Sequence, residues 1–209
     1  MTYVKICGIT SVADAVLAVT AGADAIGLNF VPSSKRVIDV ATAAHISEAV
    51  GGDVEVVCVV ADRSSSELEE LRVATGIRWL QLHGSESPEE LELLLPQAYK
   101  AIAIATREDV ARASEYGGSR LLVDAKIAGE LGGTGQRFDW SLAVPLAARR
   151  DVIVAGGLTP ENVADAVGAL CPFGVDVASG VEDPRNPRAK DAARVRAFVE
   201  AARSAEAKS

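Results

Sequence analysis

The chain has 209 residues, 49% of them hydrophobic and 24% charged, and a formal net charge of −8. These are ordinary globular proportions and argue against disorder; a domain this long buries roughly 70% of the surface its unfolded form exposes and needs no disulfide or metal to fold. The acidic balance speaks against a nucleic-acid or anionic-membrane partner, both of which require basic surface, but not against a small phosphorylated ligand in a local pocket.

Short apolar runs alternate with helical patterns along the whole chain. The first run, 3–7, is followed by Thr10 and Ser11 as alternative caps and a helix over 12–21, with Gly22 just past its end. The second run, 24–30, leads through a Pro-Ser-Ser-Lys-Arg loop to an Ala-rich helix over 40–50. The third, 54–60, precedes a Ser-rich turn and a helix over 67–75. The fourth, 78–83, precedes a helix over 89–95, with Ser87 as its cap and Pro88 in its first turn. Then come a strand over 99–105 and a helix over 107–116, and a strand over 120–124 followed by a Gly-rich loop and a helix over 139–148. A strand over 151–155 is followed by Gly156-Gly157 and a helix opened by Thr159-Pro160. The last strand, 174–179, is followed by a closing helix over 190–202 and a polar tail, 204–209, expected to fray.

This plan amounts to about eight strand–helix units. Continuous apolar strands fit a parallel sheet covered on both faces, either a closed barrel or an open doubly wound sheet. Two features favour the barrel. The unit count is that of a closed barrel, and polar residues end many of the runs: Cys7, Gln81, His83, Asp124 and Asp176. The first turn, Cys7-Gly8-Ile9-Thr10, also lacks a G-x-G-x-x-G fingerprint. No linker divides the chain, so 1–209 is read as one domain.

Alternation along the first strand turns Val4 and Ile6 toward the helices and Lys5 and Cys7 into the barrel. On the eighth strand it turns Val175 and Val177 out and Asp176 in. Closure brings these strands together, so a Lys5–Asp176 ion pair is expected, either as a core pair or as support for the site. A lysine beside Cys7 would favour the thiolate. Cys58 and Cys171 read as inert buried thiols, His45 as helix surface, and His83 as either a hydrogen-bonded structural group or a ligand contact. Asp124 closes its strand before a loop containing Gly132-Gly133-Thr134-Gly135, long enough to close over a ligand. Gly156, Gly157, Ser179 and Gly180 lie in the last two strand–helix loops, where barrels often bind phosphate through backbone N–H groups. Arg36 offers a fork suited to a carboxylate or phosphate.

Three unpaired cysteines, two scattered histidines, an N-terminus without a basic and apolar leader, and a longest apolar run of only 56–61 all point to a cytoplasmic protein. No pair of cysteines has zinc spacing.

The ordered blocks Lys5-Ile6-Cys7-Gly8-Ile9-Thr10, Gly27-Leu28-Asn29-Phe30 with Ser34-Lys35-Arg36, Gln81-Leu82-His83-Gly84, and Leu122-Val123-Asp124 with its glycine loop resemble the phosphoribosylanthranilate isomerases of tryptophan biosynthesis. So do Ala155-Gly156-Gly157-Leu158 and Asp176-Val177-Ala178-Ser179-Gly180-Val181-Glu182. The resemblance spans essentially the whole chain. It implies a closed eight-stranded parallel (β/α) TIM barrel and an Amadori rearrangement of N-(5-phosphoribosyl)anthranilate that uses no metal or cofactor. It also implies Asp124 as general acid, Cys7 as general base, Arg36 on the anthranilate carboxylate, and phosphate on loops six to eight, including Gly133. His83 is a further candidate contact, with Lys5 and Asp176 in support.

The related histidine-pathway aldose isomerases use paired aspartates, and Cys7 argues against them. A ribulose-phosphate epimerase would want paired carboxylates and metal-binding histidines. A non-catalytic sugar-phosphate binder would be marked by loss of Cys7 or Asp124, and both are present. The small phosphoribosyl substrate is the one partner expected, and a monomer is expected over a dimer because no apolar helical stripe asks for a second copy.

Overall fold

Eight parallel strands are hydrogen-bonded in chain order and close into a barrel: β1 Tyr3–Cys7, β2 Ala25–Asn29, β3 Glu55–Val60, β4 Trp79–Leu82, β5 Ala98–Ala103, β6 Arg120–Asp124, β7 Asp151–Ala155 and β8 Gly174–Val177. The structure is a computed structural model and describes residues 1–124 and 142–206. The helices are α1 Val12–Thr20, α2 Val40–Val50, α3 Ser65–Thr75, α4 Pro88–Glu92, α5 Arg107–Ala113, α6 Val144–Ala147, α7 Val163–Leu170 and α8 Ala192–Glu206. A 3-10 turn, Ser179–Val181, and an antiparallel hairpin of β9 Glu182–Asp183 and β10 Asn186–Lys190 follow β8.

Local chemistry starts α1, α4 and α5 where the sequence places them, while α3 starts at Ser65, ahead of the 67 expected. Ser11 caps α1 through the Asp14 N–H. Ser64, Ser87 and Thr106 form reciprocal capping boxes with Glu67, Glu90 and Asp109, satisfying N–H groups that a helix leaves unpaired. Helix ends depart further from expectation. Pro96 disfavours helical backbone at Leu95, and α4 stops at Glu92 rather than 95. Helix α5 stops at Ala113, short of 116, ahead of the Gly117-Gly118 turn. Thr159 does not open α7: its N–H bonds the Asn162 side chain in a preceding turn, and the helix starts at Val163.

Two expectations about the C-terminal region are corrected. Lys190 belongs to strand β10, not to the closing helix. Of the 204–209 tail expected to fray, 204–206 continue α8, where Ala202 is fully buried and Ala205 packs on the core, and 207–209 lie outside the described residues. The hairpin itself is a feature the alternating strand–helix pattern does not contain. Of the 139–148 helix expected, Val144–Ala147 is helical, and 139–141 lie outside the described residues.

The strands sort their side chains as alternation requires. Val4, Ile6, Val175 and Val177 join the layer between barrel and helices. Val57, Tyr99, Ala101, Leu122, Ile153 and Ala155 fill the interior. The N-terminal end of the barrel is plugged by Arg120, whose guanidinium lies 4.3 Å from the Trp79 ring centre, 5.2 Å from that of Tyr3 and 5.4 Å from that of Phe173. Glu55 accepts from both Arg120 (2.7 Å) and the Tyr3 hydroxyl (2.6 Å). Cation–π and ion-pair contacts thus satisfy the charge at that end.

Candidate active site

Cys7 and Asp124 are the last residues of β1 and β6. All the barrel strands run the same way, so both residues stand on one rim, the C-terminal one. The strand order β6-β7-β8-β1 sets them three strands apart around it.

Beneath Cys7 the expected ion pair is formed. Lys5 is in register with Asp176, and its Nζ donates to Asp176 Oδ1 at 2.9 Å, with the Lys5 side chain fully buried. Burial works against the ammonium, but Asp176, Cys7 and Tyr99 outweigh it and hold the Lys5 pKa well above the usual lysine value. Gly27 on β2 makes room for this group: a Cβ there would lie 2.7 Å from Cys7 Sγ and 3.0 Å from Lys5 Nζ. Those two distances also put thiol and ammonium side by side.

Lys5 favours the thiolate as expected, but it is not the largest influence on Cys7. Burial raises the Cys7 pKa above the ordinary thiol value, and the opposing pull of Lys5 and of Lys190 does not overcome it. Cys58 is buried as expected, with its thiol pushed up to about 12 by burial. Cys171 is not: it caps α7 in a left-handed conformation (φ 44°), which leaves it exposed.

Asp124 is half-buried on β6, between Ala103 and Ala155 of the flanking strands. His83 follows β4 at the rim, its Nδ1 3.3 Å from Gln81 Nε2, and Gln81 in turn accepts from the Tyr99 hydroxyl at 3.2 Å. Partial desolvation lowers the His83 pKa against the opposing charges of Asp124 and Asp176. Asp176 also acts on Cys7. The turn carrying His83 is braced by groups the sequence reading did not single out. Lys100 is buried and donates to Gly84 O (2.6 Å) and Glu86 Oε2 (2.9 Å); Glu86 accepts from the N–H groups of Gly84 and Asp62.

Loops seven and eight meet as expected. Gly156 and Gly157 have φ values of 94° and 67°, where a side chain would be strained. A Cβ on Gly180 would collide with Leu158 O, so that glycine lets the turn beginning at Ser179 lie against loop seven. Arg194 of α8 ties the two loops, donating to Gly180 O at 2.8 Å and reaching Glu161. Gly133 and its neighbours in loop six lie outside the described residues.

Arg36 lies across the turn after β1. Gly8, at φ 72°, gives it the space, since a Cβ there would fall on the Arg36 side chain. Its Nε donates to Glu182 Oε1. Lys190, not anticipated as a site residue, enters the same recess. Its side chain is buried, and its Nζ donates to Ala178 O at 3.1 Å and lies 3.9 Å from Glu182 Oε1. Burial lowers its pKa to about 8, against the pull of Cys7, Glu182 and Asp14. The closing helix expected over 190–202 covers this residue; Pro184 and Pro187, which favour turns and edge strands, are the signal that could have found the hairpin.

A closed barrel with a plugged N-terminal end, and a C-terminal rim that gathers a thiol, a carboxylate, an arginine and two glycine turns, defines a TIM-barrel enzyme. The family described as N-(5'phosphoribosyl)anthranilate (PRA) isomerase matches residues 4–201. The N-(5'-phosphoribosyl)anthranilate isomerase of Pseudomonas aeruginosa is 45% identical over 96% of this chain and 95% of its own length. The crystal structure of phosphoribosyl anthranilate isomerase from Thermotoga maritima superposes with a TM-score of 0.89 at 36% identity, covering 98% of this chain and all of that one. A second isomerase structure, solved in complex with reduced 1-(o-carboxyphenylamino)-1-deoxyribulose 5-phosphate, gives 0.85 at 34% identity, over 98% of this chain and all of its own. The chain belongs to the N-(5'-phosphoribosyl)anthranilate isomerase family.

Proposed function

We propose that this protein converts N-(5-phosphoribosyl)anthranilate into 1-(2-carboxyphenylamino)-1-deoxyribulose 5-phosphate in tryptophan biosynthesis, with Asp124 as general acid and Cys7 as general base. Asp124 gives a proton to the furanose ring oxygen. The C1′–O bond breaks, and the nitrogen lone pair forms the Schiff base. Cys7 then takes the C2′ proton, its electrons move into an enolamine, and tautomerisation yields the ketone. An acid and a base facing different sides of one sugar are all this route requires, and a positioned acid or base typically contributes a factor of about a hundred or more.

The observation that supports the reading is the shared rim: Cys7 ends β1 and Asp124 ends β6 at the same end of the barrel, three strands apart. The working form is the one in which Cys7 has lost its proton, and Lys5 and Lys190 are the cations that favour that thiolate. Arg36 holds the anthranilate carboxylate through its fork. The turns at Gly156-Gly157 and Ser179-Gly180, with Gly133 of loop six, take the phosphate on backbone N–H groups, and His83 lines the mouth. Three free thiols suit a reducing cytoplasm.

The test is turnover. Purified protein in EDTA should consume freshly generated phosphoribosylanthranilate, seen as loss of its anthranilate-like fluorescence. Binding without turnover would make the chain a sugar-phosphate binding protein instead.

A further inference from the structure

We infer that Glu182 is the positioning residue for Arg36 and thereby a determinant of how the site recognises the substrate's aromatic carboxylate; this rests on the role given to Arg36 above. Glu182 opens the β9–β10 hairpin with its side chain only 7% exposed. It is surrounded by cations from two parts of the chain. Arg36 Nε donates to Oε1, Lys35 Nζ lies 3.4 Å from Oε2, and Lys190 Nζ lies 3.9 Å from Oε1. Burial disfavours this carboxylate, but Arg36, Lys190 and Lys35 together hold its pKa below the ordinary value.

A guanidinium gripped at Nε has its plane fixed, and its four remaining N–H groups are presented in one orientation. A flexible arginine would lose side-chain freedom each time a ligand bound; one already held loses less. The cations around Glu182 outnumber it, so the recess keeps positive character for an incoming anion although the whole chain is acidic.

The hairpin is itself fixed to the loops that carry the site. Thr10 Oγ1 donates to Arg188 O at 2.6 Å. Arg188 donates to Lys35 O (2.6 Å) and Val37 O (3.3 Å), and the Lys190 N–H donates to Asp14 Oδ1 at 3.1 Å. Glu182 therefore holds Arg36 from a platform anchored both to the turn after Cys7 and to the loop of Arg36 itself.

The experiment compares two ligands on each protein by titration calorimetry: reduced 1-(o-carboxyphenylamino)-1-deoxyribulose 5-phosphate, and its phenylamino counterpart lacking the carboxyl. Glu182→Gln should weaken the first about tenfold and the second by less than about twofold, the scale of one charge-assisted hydrogen bond. Should the amide weaken the fold, Glu182→Asp, which keeps the buried charge and shortens its reach, gives the same comparison. Equal weakening of both ligands, or of neither, overturns the inference. Arg36→Ala separates the two levels. If Arg36→Ala selectively weakens the carboxylated ligand and the Glu182 variants do not, the role of Glu182 falls and that of Arg36 stands. If Arg36→Ala does not distinguish the ligands, the Arg36 role falls and the inference with it.

Discussion

Cys7 shows how two forces of opposite sign meet at one atom. Lys5 and Lys190 pull its thiol toward ionisation, while burial pushes the other way and prevails. The sign could not be read from the sequence, because it depends on how deep the sulfur lies, and depth is set by the closing of the barrel around it. Gly27 belongs to the same lesson: its lack of a side chain is what admits both the sulfur and the ammonium. Only the thiolate attacks an alkylating agent, so the pH dependence of labelling reads the thiol directly. In a Cys171→Ser background, which removes the exposed thiol, labelling of Cys7 by iodoacetamide should be slow at pH 7 and keep rising through pH 9, since burial raises its pKa above the ordinary thiol value. Cys58 is buried and held at about 12, and competes little. A labelling rate already level below pH 8 would show that the cations prevail over burial.

Strands carry most of what was legible. Apolar runs at regular spacing marked all eight, and alternation within β1 and β8, combined with barrel closure, identified Lys5 and Asp176 as partners 171 residues apart in the chain. That inference worked because strand period and cyclic order are simple geometry. Where local signals compete, boundaries moved: Pro96 cut α4 short, the Asn162 side chain delayed α7, and core packing carried α8 past the polar composition of its end. The β9–β10 hairpin was illegible because its strands are short and polar, and its purpose lies in contacts with loops near the other end of the chain. The β1–β8 pair makes a stability prediction. Asp176→Asn leaves a fully buried lysine without its counter-ion, a loss of about 3–5 kcal/mol, or roughly 10 °C in melting temperature for a chain of this size. Calorimetry of the variant measures it. A melting temperature within about 2 °C of the parent, a change below about 1 kcal/mol at this size, would mean that Lys5 finds another partner or sheds its proton.

At the scale of the molecule, the barrel separates stability from chemistry. Its N-terminal end is closed by the Arg120 plug, with aromatic rings on three sides and Glu55 as counter-charge. Its C-terminal end collects the polar residues on which the strands terminate. A chain with a net charge of −8 still gathers Arg36, Lys35 and Lys190 around one buried carboxylate, Glu182, at this end. Rim residues that end strands, Cys7 and Asp124, were legible as candidates; Glu182 stood out only as the end of the block after β8, and Lys190 not at all, because both lie in a connection rather than in a barrel strand. The central claim is that one thiol and one carboxyl share the proton transfers of a single site. It is tested most directly by kcat on freshly generated phosphoribosylanthranilate for Cys7→Ser, with circular dichroism confirming an intact barrel. The account predicts a fall of at least about a hundredfold, the scale of a positioned base; a Cys7→Ser protein turning over at close to the parent rate would contradict it.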